Sequence, residues 1–253
     1  MDRQAYTDWA RRAGHALIAL AVMLAPAAVA APLLTVAVDT GTEMPMAGFK
    51  DGQLVAGFHK DLGEALAGKM GRVVNFLPLP RKRIAMALED GQADMVCLYL
   101  PPWLPGKFQW TRGFFPVAEV VVSSTAVPRP KTLRDLSGQP IATVLGYYYP
   151  ELEAALGKQF VRDDGYSSSG NLRKIAAGRL HHAITQQNTL DYYLKVGEKL
   201  SIHPPLVIKR YQARCALSPK GRVRVPEIGK AIDQIVKDGS VNKIISNYQS
   251  HLR

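Results

Sequence analysis

The sequence predicts an α/β fold organised as two lobes. Short apolar runs alternate with amphipathic segments from Leu33 to Tyr99, the run Val117–Ser123 has no helix before it, and the alternation restarts after Pro128 and Pro130. Parallel strands need a crossover helix between them, which produces this alternation. A strand entered without a helix marks a crossover out of the first set. The chain has 253 residues, 47% hydrophobic and 21% charged, enough for one large domain or two small lobes with a core that needs no staples.

The elements follow in order. LTVAVD at 34–39 is a short β-rich run, and the stretch GTEMPMAGFKDGQL after it is full of turn formers and is expected to be a loop. His59–Met70 puts Leu62, Ala65, Leu66 and Met70 on one helical face. Arg72–Leu77 is a strand, Lys82–Glu89 a short helix closed by Asp90-Gly91, and Ala93–Tyr99 a buried strand. In the second set, Pro140–Leu145 is a strand and Pro150–Leu156 a helix with proline in its first turn. Gln159–Arg162 is a strand, Asn171–Ala177 a helix ending near Gly178, and His182–Gln186 a strand. A strand at Gln212–Leu217 and a helix over Val225–Gln249 have nowhere to pack within that lobe alone. They are expected to return to the first.

The first 30 residues read as a secretory signal. Arg3, Arg11 and Arg12 precede an apolar run, Ala16–Val29, that is broken only by Pro26 and ends in small residues. Cleavage is expected after Ala30. The run is shorter than the roughly 20 residues that span a bilayer, and no cysteine sits at the exit for a lipid anchor. Removing three Arg and two Asp takes the formal charge from +11 to +10. The basic residues are scattered and form no nucleic-acid module, so no nucleic-acid partner is expected. Cys97 and Cys215 would meet an oxidising compartment, where they could pair or stay buried thiols. Neither a cofactor nor a metal is expected: HExxH, a phosphate-cradling glycine loop and a nucleophile elbow are all missing from the sequence. His181 and His182 adjoin on a strand and face opposite ways, and His59 reads as a surface histidine at a helix start.

Six segments, in this order and at this spacing, resemble the family-3 extracellular solute-binding proteins, receptors for polar amino acids. They are LTVAVD at 34–39, GFHKDLGEALAGKMG at 57–71, MALEDGQADMV at 86–96, LRDLSGQPIATVLG at 133–146, LSPKG at 217–221 and AIDQIVKDGSVNKIISNYQ at 231–249. The resemblance covers nearly all of the chain after the signal. It implies a two-lobed periplasmic binding protein fold, each lobe a mostly parallel sheet flanked by helices, joined by two crossover strands. Lobe 1 would take residues 31–118, lobe 2 residues 119–210, and residues 211–253 would form the second crossover strand and the return to lobe 1. It implies a monomer that closes on a small-molecule ligand and passes it to the membrane permease of an ABC importer. It also places the strand near 213–217 beside the one carrying Cys97, without fixing whether Cys97 and Cys215 pair.

The family's amino-acid receptors clamp the ligand carboxylate with an arginine after the third strand and hold its ammonium with an acid in the second lobe. Here Leu100–Lys107 (LPPWLPGK) has no arginine, and Gln187 stands at the acidic position. A standard α-amino acid would lose a charge-assisted fork and its counter-charge, so another small polar ligand is expected. Arg81 falls where the family often has an aromatic ring. It could grip a carboxylate, sulfonate or phosphate, or open a solvated helix with Lys82 and Arg83. Arg112 is a second candidate. Asp39 ends the first strand, where open α/β sheets bind ligands, or makes an Asx turn; Glu43 follows it. Tyr99, Trp103 and either Tyr147 or Tyr148 would form an aromatic box beside Leu100. Ser167, Ser168 and Ser169 read as helix caps. Two other readings are a sensor or partner-binding lobe working through a separate membrane protein, and a dehydratase-like enzyme with Glu43 as its acid.

Overall fold

A computed structural model describes residues 31–249; the signal expected over residues 1–30 lies outside them. The first half contains β1 (Leu33–Asp39), a hairpin of β2 (Gly48–Lys50) and β3 (Gln53–Ala56), α1 (Phe58–Lys69), β4 (Val73–Leu79), α2 (Arg81–Glu89), β5 (Met95–Tyr99) and β6 (Gln109–Trp110). The long strand β7 (Phe115–Ser123) leads to β8 (Pro140–Val144), α3 (Pro150–Leu156), β9 (Val161–Gly165), α4 (Ser168–Ala176), β10 (His182–Gln186) and α5 (Gln187–Lys195). The chain then returns through β11 (Leu206–Leu217) to α6 (Val225–Lys237) and α7 (Ser240–Ser246). The strands lie in the order β4-β1-β5-β11-β7-β10-β8-β9. At each end the pairs β1–β4 and β8–β9 are parallel, while β7 and β11 run antiparallel to each other in the middle. This is the expected α/β architecture of two lobes.

Two strands belong to both lobes. Phe115 and Val117 of β7 lie in a core with Leu62, Leu66 and Met95, while Val120 and Val122 lie in another with Leu172, Ala183 and Leu190. On β11, Ala213, Cys215 and Leu217 join the first core, whereas Leu206 and Ile208 pack against Leu136, Ile141 and Leu152. Strand β1 is buried along nearly its whole length, as a parallel strand covered on both faces must be. Helix α6 buries Ile228, Ile232 and Ile235 against Phe58, Leu62 and Leu66 of α1. That stripe at i, i+4 and i+7 is one helical face, and burying each side chain contributes about 1.5–3 kcal/mol.

Asp94 ties β5 to β1 and to the segment after β11. Its buried carboxylate accepts from Thr35 N at 2.7 Å, Arg222 N at 2.8 Å and the Arg222 guanidinium Nη2 at 2.8 Å. Burial alone would raise the Asp94 pKa, but the Arg222 side chain and the two backbone donors outweigh it and hold it below the usual aspartate value.

Several sequence expectations need correction. The stretch after β1 holds the β2–β3 hairpin, turned by Asp51-Gly52 with both residues at positive φ, as a two-residue Asp-Gly turn allows. The helix expected over Val225–Gln249 is two helices, broken where Gly239 takes φ 78°. A left-handed glycine just past a helix end is a stop signal. Strand β11 starts six residues earlier than expected, and α5 was not anticipated. His59 is not at the surface: it is buried, its Nδ1 has no partner among the described residues, and burial lowers its pKa to about 4.

Replacing Asp94 with Asn should cost about 1–3 kcal/mol at pH 7, as removal of a charged hydrogen-bonding partner usually does. The folded pKa is depressed, so this contribution exists above the unfolded value and is lost as the pH falls through the folded one. Urea unfolding of both proteins from pH 7 down to pH 3 should therefore show the gap between them closing. A gap independent of pH would show that the charge of Asp94 contributes nothing.

Candidate functional site

The carboxyl ends of β1, β4 and β5 bring three side chains together. Asp39 pairs in register with Leu79, and Pro80 follows as the N-cap of α2, which sets Arg81 beside Asp39. The Asp39 side chain is only 4% exposed. Its Oδ1 accepts from Gly41 N at 2.9 Å, the Asx turn, and its Oδ2 lies 3.4 Å from Arg81 Nη1. The Arg81 guanidinium carbon stands 5.2 Å from the centre of the Tyr99 ring, within cation–π range. With 45% of its side chain exposed, the Arg81 fork has more donors than Asp39 can occupy.

Tyr99 owes its direction to a bulge. Arg214 pairs with Tyr99 and Cys215 with Cys97, leaving Leu98 as an extra residue on β5 at φ 62°. A branched residue in the left-handed region costs about 1–2 kcal/mol, and Leu98 is held there by packing in the core it shares with Phe58 and Cys97. The bulge turns Tyr99 into the neighbouring cluster with Leu104 and Ala216. Its hydroxyl is buried without a partner among the described residues, and burial raises its pKa. Cys97 and Cys215 are joined by a disulfide.

The second lobe answers with Tyr147. Tyr147 is 48% exposed; what burial it has raises the pKa of its phenol, Arg81 lowers it, and Asp39 and Glu43 raise it further. Its loop is braced by Arg162, whose Nη1 donates to Tyr147 O at 3.2 Å and whose guanidinium covers the Tyr149 ring at 5.3 Å. Tyr149 is packing: its buried hydroxyl accepts from Val144 N at 2.9 Å.

Between the lobes, Trp103 meets Tyr211 of β11 edge-on at 5.5 Å. Leu100, half-buried, caps the short 3-10 turn that carries Trp103, and its carbonyl accepts from Trp103 N at 2.9 Å. Glu119 on β7 pairs in register with Gln186 and Lys209. Burial, and after it the charge of Glu151, push the Glu119 carboxyl up to about 7, with Lys209 pulling the other way. Burial and, after it, Glu119 raise the pKa of the Tyr211 phenol, with Gln186 acting the other way. Glu119, Gln186 and Tyr211 were missed from the sequence, although a lone acid in VAEVVVS was a visible signal.

Asp39, Arg81 and Tyr99 are thus brought together, with Trp103 and Leu100 close by on the connection after β5 and Tyr147 near enough for their charges to act on its phenol. Others are not. Tyr148 is 72% exposed and has no partner side chain in this group. Gln187 donates to Asp191 one turn along α5, at 2.7 Å, so its amide is used within its own helix. Arg112 pairs with Asp233 of α6 at 2.7 Å on the surface. Glu43 reaches across to α4, where it accepts from Ser169 N at 2.9 Å and Ser169 Oγ at 2.6 Å. Of the three serines, Ser167 is the cap, accepting from Gly170 N at 3.1 Å. Among the described residues, no cluster of His, Cys, Asp and Glu could hold a metal ion, and no helix is long and apolar enough to cross a membrane.

No family model matches the chain. The arginine-binding extracellular protein ArtP of Bacillus subtilis is 23% identical over 201 residues, covering 78% of each chain. The probable amino-acid-binding protein YxeM of the same organism is 23% identical over 215 residues, covering 83% of this chain and 81% of its own. An ancestral cationic amino acid solute-binding protein superposes with a TM-score of 0.70 at 20% identity, covering 86% of this chain and 96% of that one. The chain has the solute-binding-protein fold. The L-cystine solute receptor of Neisseria gonorrhoeae, in an unliganded open conformation, shares it with a TM-score of 0.64 at 20% identity, over 86% of this chain and 93% of that one.

The Glu119 carboxyl rises from an ordinary 4.5 to about 7, so the folded state binds its proton more tightly than the unfolded one. That contribution to stability is complete below about 4.5 and is lost as the pH rises through about 7. Glu119→Gln should melt progressively higher than the parent as the pH is raised from 5 to 8 in a calorimetric series. Parallel curves would mean that the site does not hold Glu119 neutral.

Proposed function

We propose that the protein is an exported receptor that captures a small polar solute between its lobes and delivers it to an ABC importer, without itself catalysing a reaction. The observation that carries this is the Asp39–Arg81 pair set against the Tyr99 ring at the strand ends, opposite Tyr147. The signal-like first 30 residues support export. The sequence relatives are amino-acid-binding proteins by name, which supports a solute of that size and a binding role over catalysis. Both oxygens of Glu43 are engaged as acceptors, which speaks against its use as a cleft acid.

The anchors point to the kind of solute. Arg81 supplies a planar set of donors for an anionic group, stacked so that little freedom is lost on binding. Asp39, nearly buried and engaged by Gly41 N and Arg81, sets the place of that guanidinium. The arginine and the second-lobe acid that usually grip an α-amino acid are replaced by LPPWLPGK and Gln187. The solute is therefore a small organic anion or zwitterion held through Arg81, other than a standard α-amino acid in its usual pose. Closure follows because a ligand touching both lobes stabilises only the closed arrangement. The receptor works as a monomer with a membrane permease as its partner.

A thermal-shift screen of organic acids, opines, sulfonates, amino acids and amines tests the reading. A solute at 100 times its Kd should stabilise the protein by about 2.7 kcal/mol, and a screen without any stabilising compound would overturn it. Arg81→Ala should weaken binding of the best compound about tenfold or more, since a charged hydrogen bond is worth about 1.5–3 kcal/mol. It should barely change the melting temperature of the free protein, because half-exposed ion pairs contribute about 0–1 kcal/mol. Unchanged affinity would remove Arg81 from the site. Gln187→Asp should gain no affinity for simple amino acids by calorimetric titration, since a carboxylate clamp would still be missing; tight binding would place that clamp elsewhere.

A further inference from the structure

Several side chains span the lobes outside the two strand connections: Gln249 Nε2 donates to Asp191 Oδ2 at 3.2 Å, Lys195 Nζ donates to the Asn247 carbonyl, and Glu43 reaches α4. Glu43 sits on the loop between β1 and β2, four residues after Asp39, and its backbone is fixed. Its carbonyl accepts from Met46 N at 2.9 Å, and the next carbonyls, of Pro45 and Met46, accept from Phe58 N at 2.8 Å and His59 N at 3.0 Å at the start of α1. The loop lies so close to Gly57 that a Cβ there would be 2.7 Å from Met46 O. The Glu43 side chain therefore leaves a rigid base in the first lobe. It ends on the second lobe, where Ser169 gives both its backbone N–H and its hydroxyl, one to each carboxylate oxygen. Ser169 is the second residue of α4, a nine-residue helix whose cap donor is already used by Ser167 on Gly170. Its N–H is one of the donors that a helix leaves without a partner in its first turn, and the helix dipole favours an anion at that end.

We infer that Glu43 is a built-in latch: its carboxylate takes the part of a bridging solute at the α4 N-terminus and holds the lobes together through the chain's own atoms. This goes beyond the receptor reading and rests only on the two-lobed fold. The bond is charge-assisted at both oxygens, the stronger class of hydrogen bond. It is independent of Arg81 and Tyr99, so the balance between open and closed forms is set partly by a contact that no solute makes. A receptor whose closed form is already populated loses less affinity to conformational adjustment when its solute arrives. Behind the bond lies a half-open cavity of about 220 Å³, lined by Glu43, Met44, Ser169, Arg173, Tyr192 and Tyr193 among others.

The experiment reads the distance between lobes in the absence of solute. Spin labels are placed on the exposed positions Gln53 and Lys158 through Gln53→Cys and Lys158→Cys; the native Cys97–Cys215 pair is buried and bonded. Co-purified solute is removed by guanidinium unfolding and refolding, and distances are measured by pulsed electron paramagnetic resonance. The parent should show mainly the short distance. Glu43→Ala should shift the closed-to-open ratio by about tenfold or more towards the long distance, as loss of a charge-assisted bond between two states implies. Ser169→Ala, which keeps the N–H and loses the hydroxyl, should fall between them and serves as the readout if the first variant folds poorly. A parent that is already open, or three identical distance distributions, would overturn the latch. Because no ligand is needed, either result stands apart from the fate of the solute screen.

Discussion

The antiparallel pairing of β7 with β11, from Leu206 opposite Val121 to Ala213 opposite Phe115, is the constraint on which the rest of the molecule depends. Each strand gives side chains to both lobes, so neither core can be completed without the other half of the same strand. The register shift between Val207 and Lys209 bends the pair where it passes from one lobe to the other, as a bulge does. Glu119 and Tyr211 occupy that stretch, so the floor of the cleft and the connection that must flex are the same few residues. A half-buried acid there is tolerated because protonation removes its charge at modest cost.

The first lobe depends on the pair in a second way. Cys215 of β11 is bonded to Cys97 of β5, and next to that bond Leu98 forms the bulge that turns Tyr99 into the cluster under Arg81. The ring that supports Arg81 is thus positioned by the crossover strand together with the packing of Ile84 and Leu88. Asp39 is set from the other side, by the β1–β4 register. Two independent backbone constraints therefore converge on one guanidinium, which is why a long, exposed side chain can hold a defined place.

The parts of this that could be read in the sequence are those written locally. β1 and β5 are short continuous apolar runs, and α1 repeats Leu62, Leu66 and Met70 at helical spacing. His59 was legible too, since 59, 62 and 66 share a helical face, but a polar residue at a helix start suggested solvent. The early half of β11 was not legible. Leu206, Val207 and Ile208 form a short apolar run, but Lys209 and Arg210 interrupt it and the buried face changes as the strand leaves one core for the other, so no single period of two runs through to Gln212. Helix α5 was hidden by Gln187, Asn188 and Thr189, of which Asn188 and Thr189 are buried polar residues. In the cleft, Arg81 and Asp39 were each recognisable, but their contact across 42 residues needs the β1–β4 register. Glu43 with Ser169, across 126 residues, depends on how the lobes meet and leaves no trace in local pattern.

The position of Glu43 relative to Asp39 gives the two contacts a mechanical relation. Asp39 lies at the inner end of a loop whose outer part is pinned to α1 through Pro45 and Met46, and Thr42 Oγ1 donates to Asp39 O at 2.9 Å. The anchor beside Arg81 and the carboxylate on Ser169 are therefore the two ends of one short, internally bonded segment. A latch carried by a flexible loop would be indifferent to the cleft. One carried on a segment hydrogen-bonded at both ends transmits displacement, because packed elements shift as units and do not deform continuously. The anchor beside Arg81 and the contact at Ser169 thus share five residues of backbone while using different side chains.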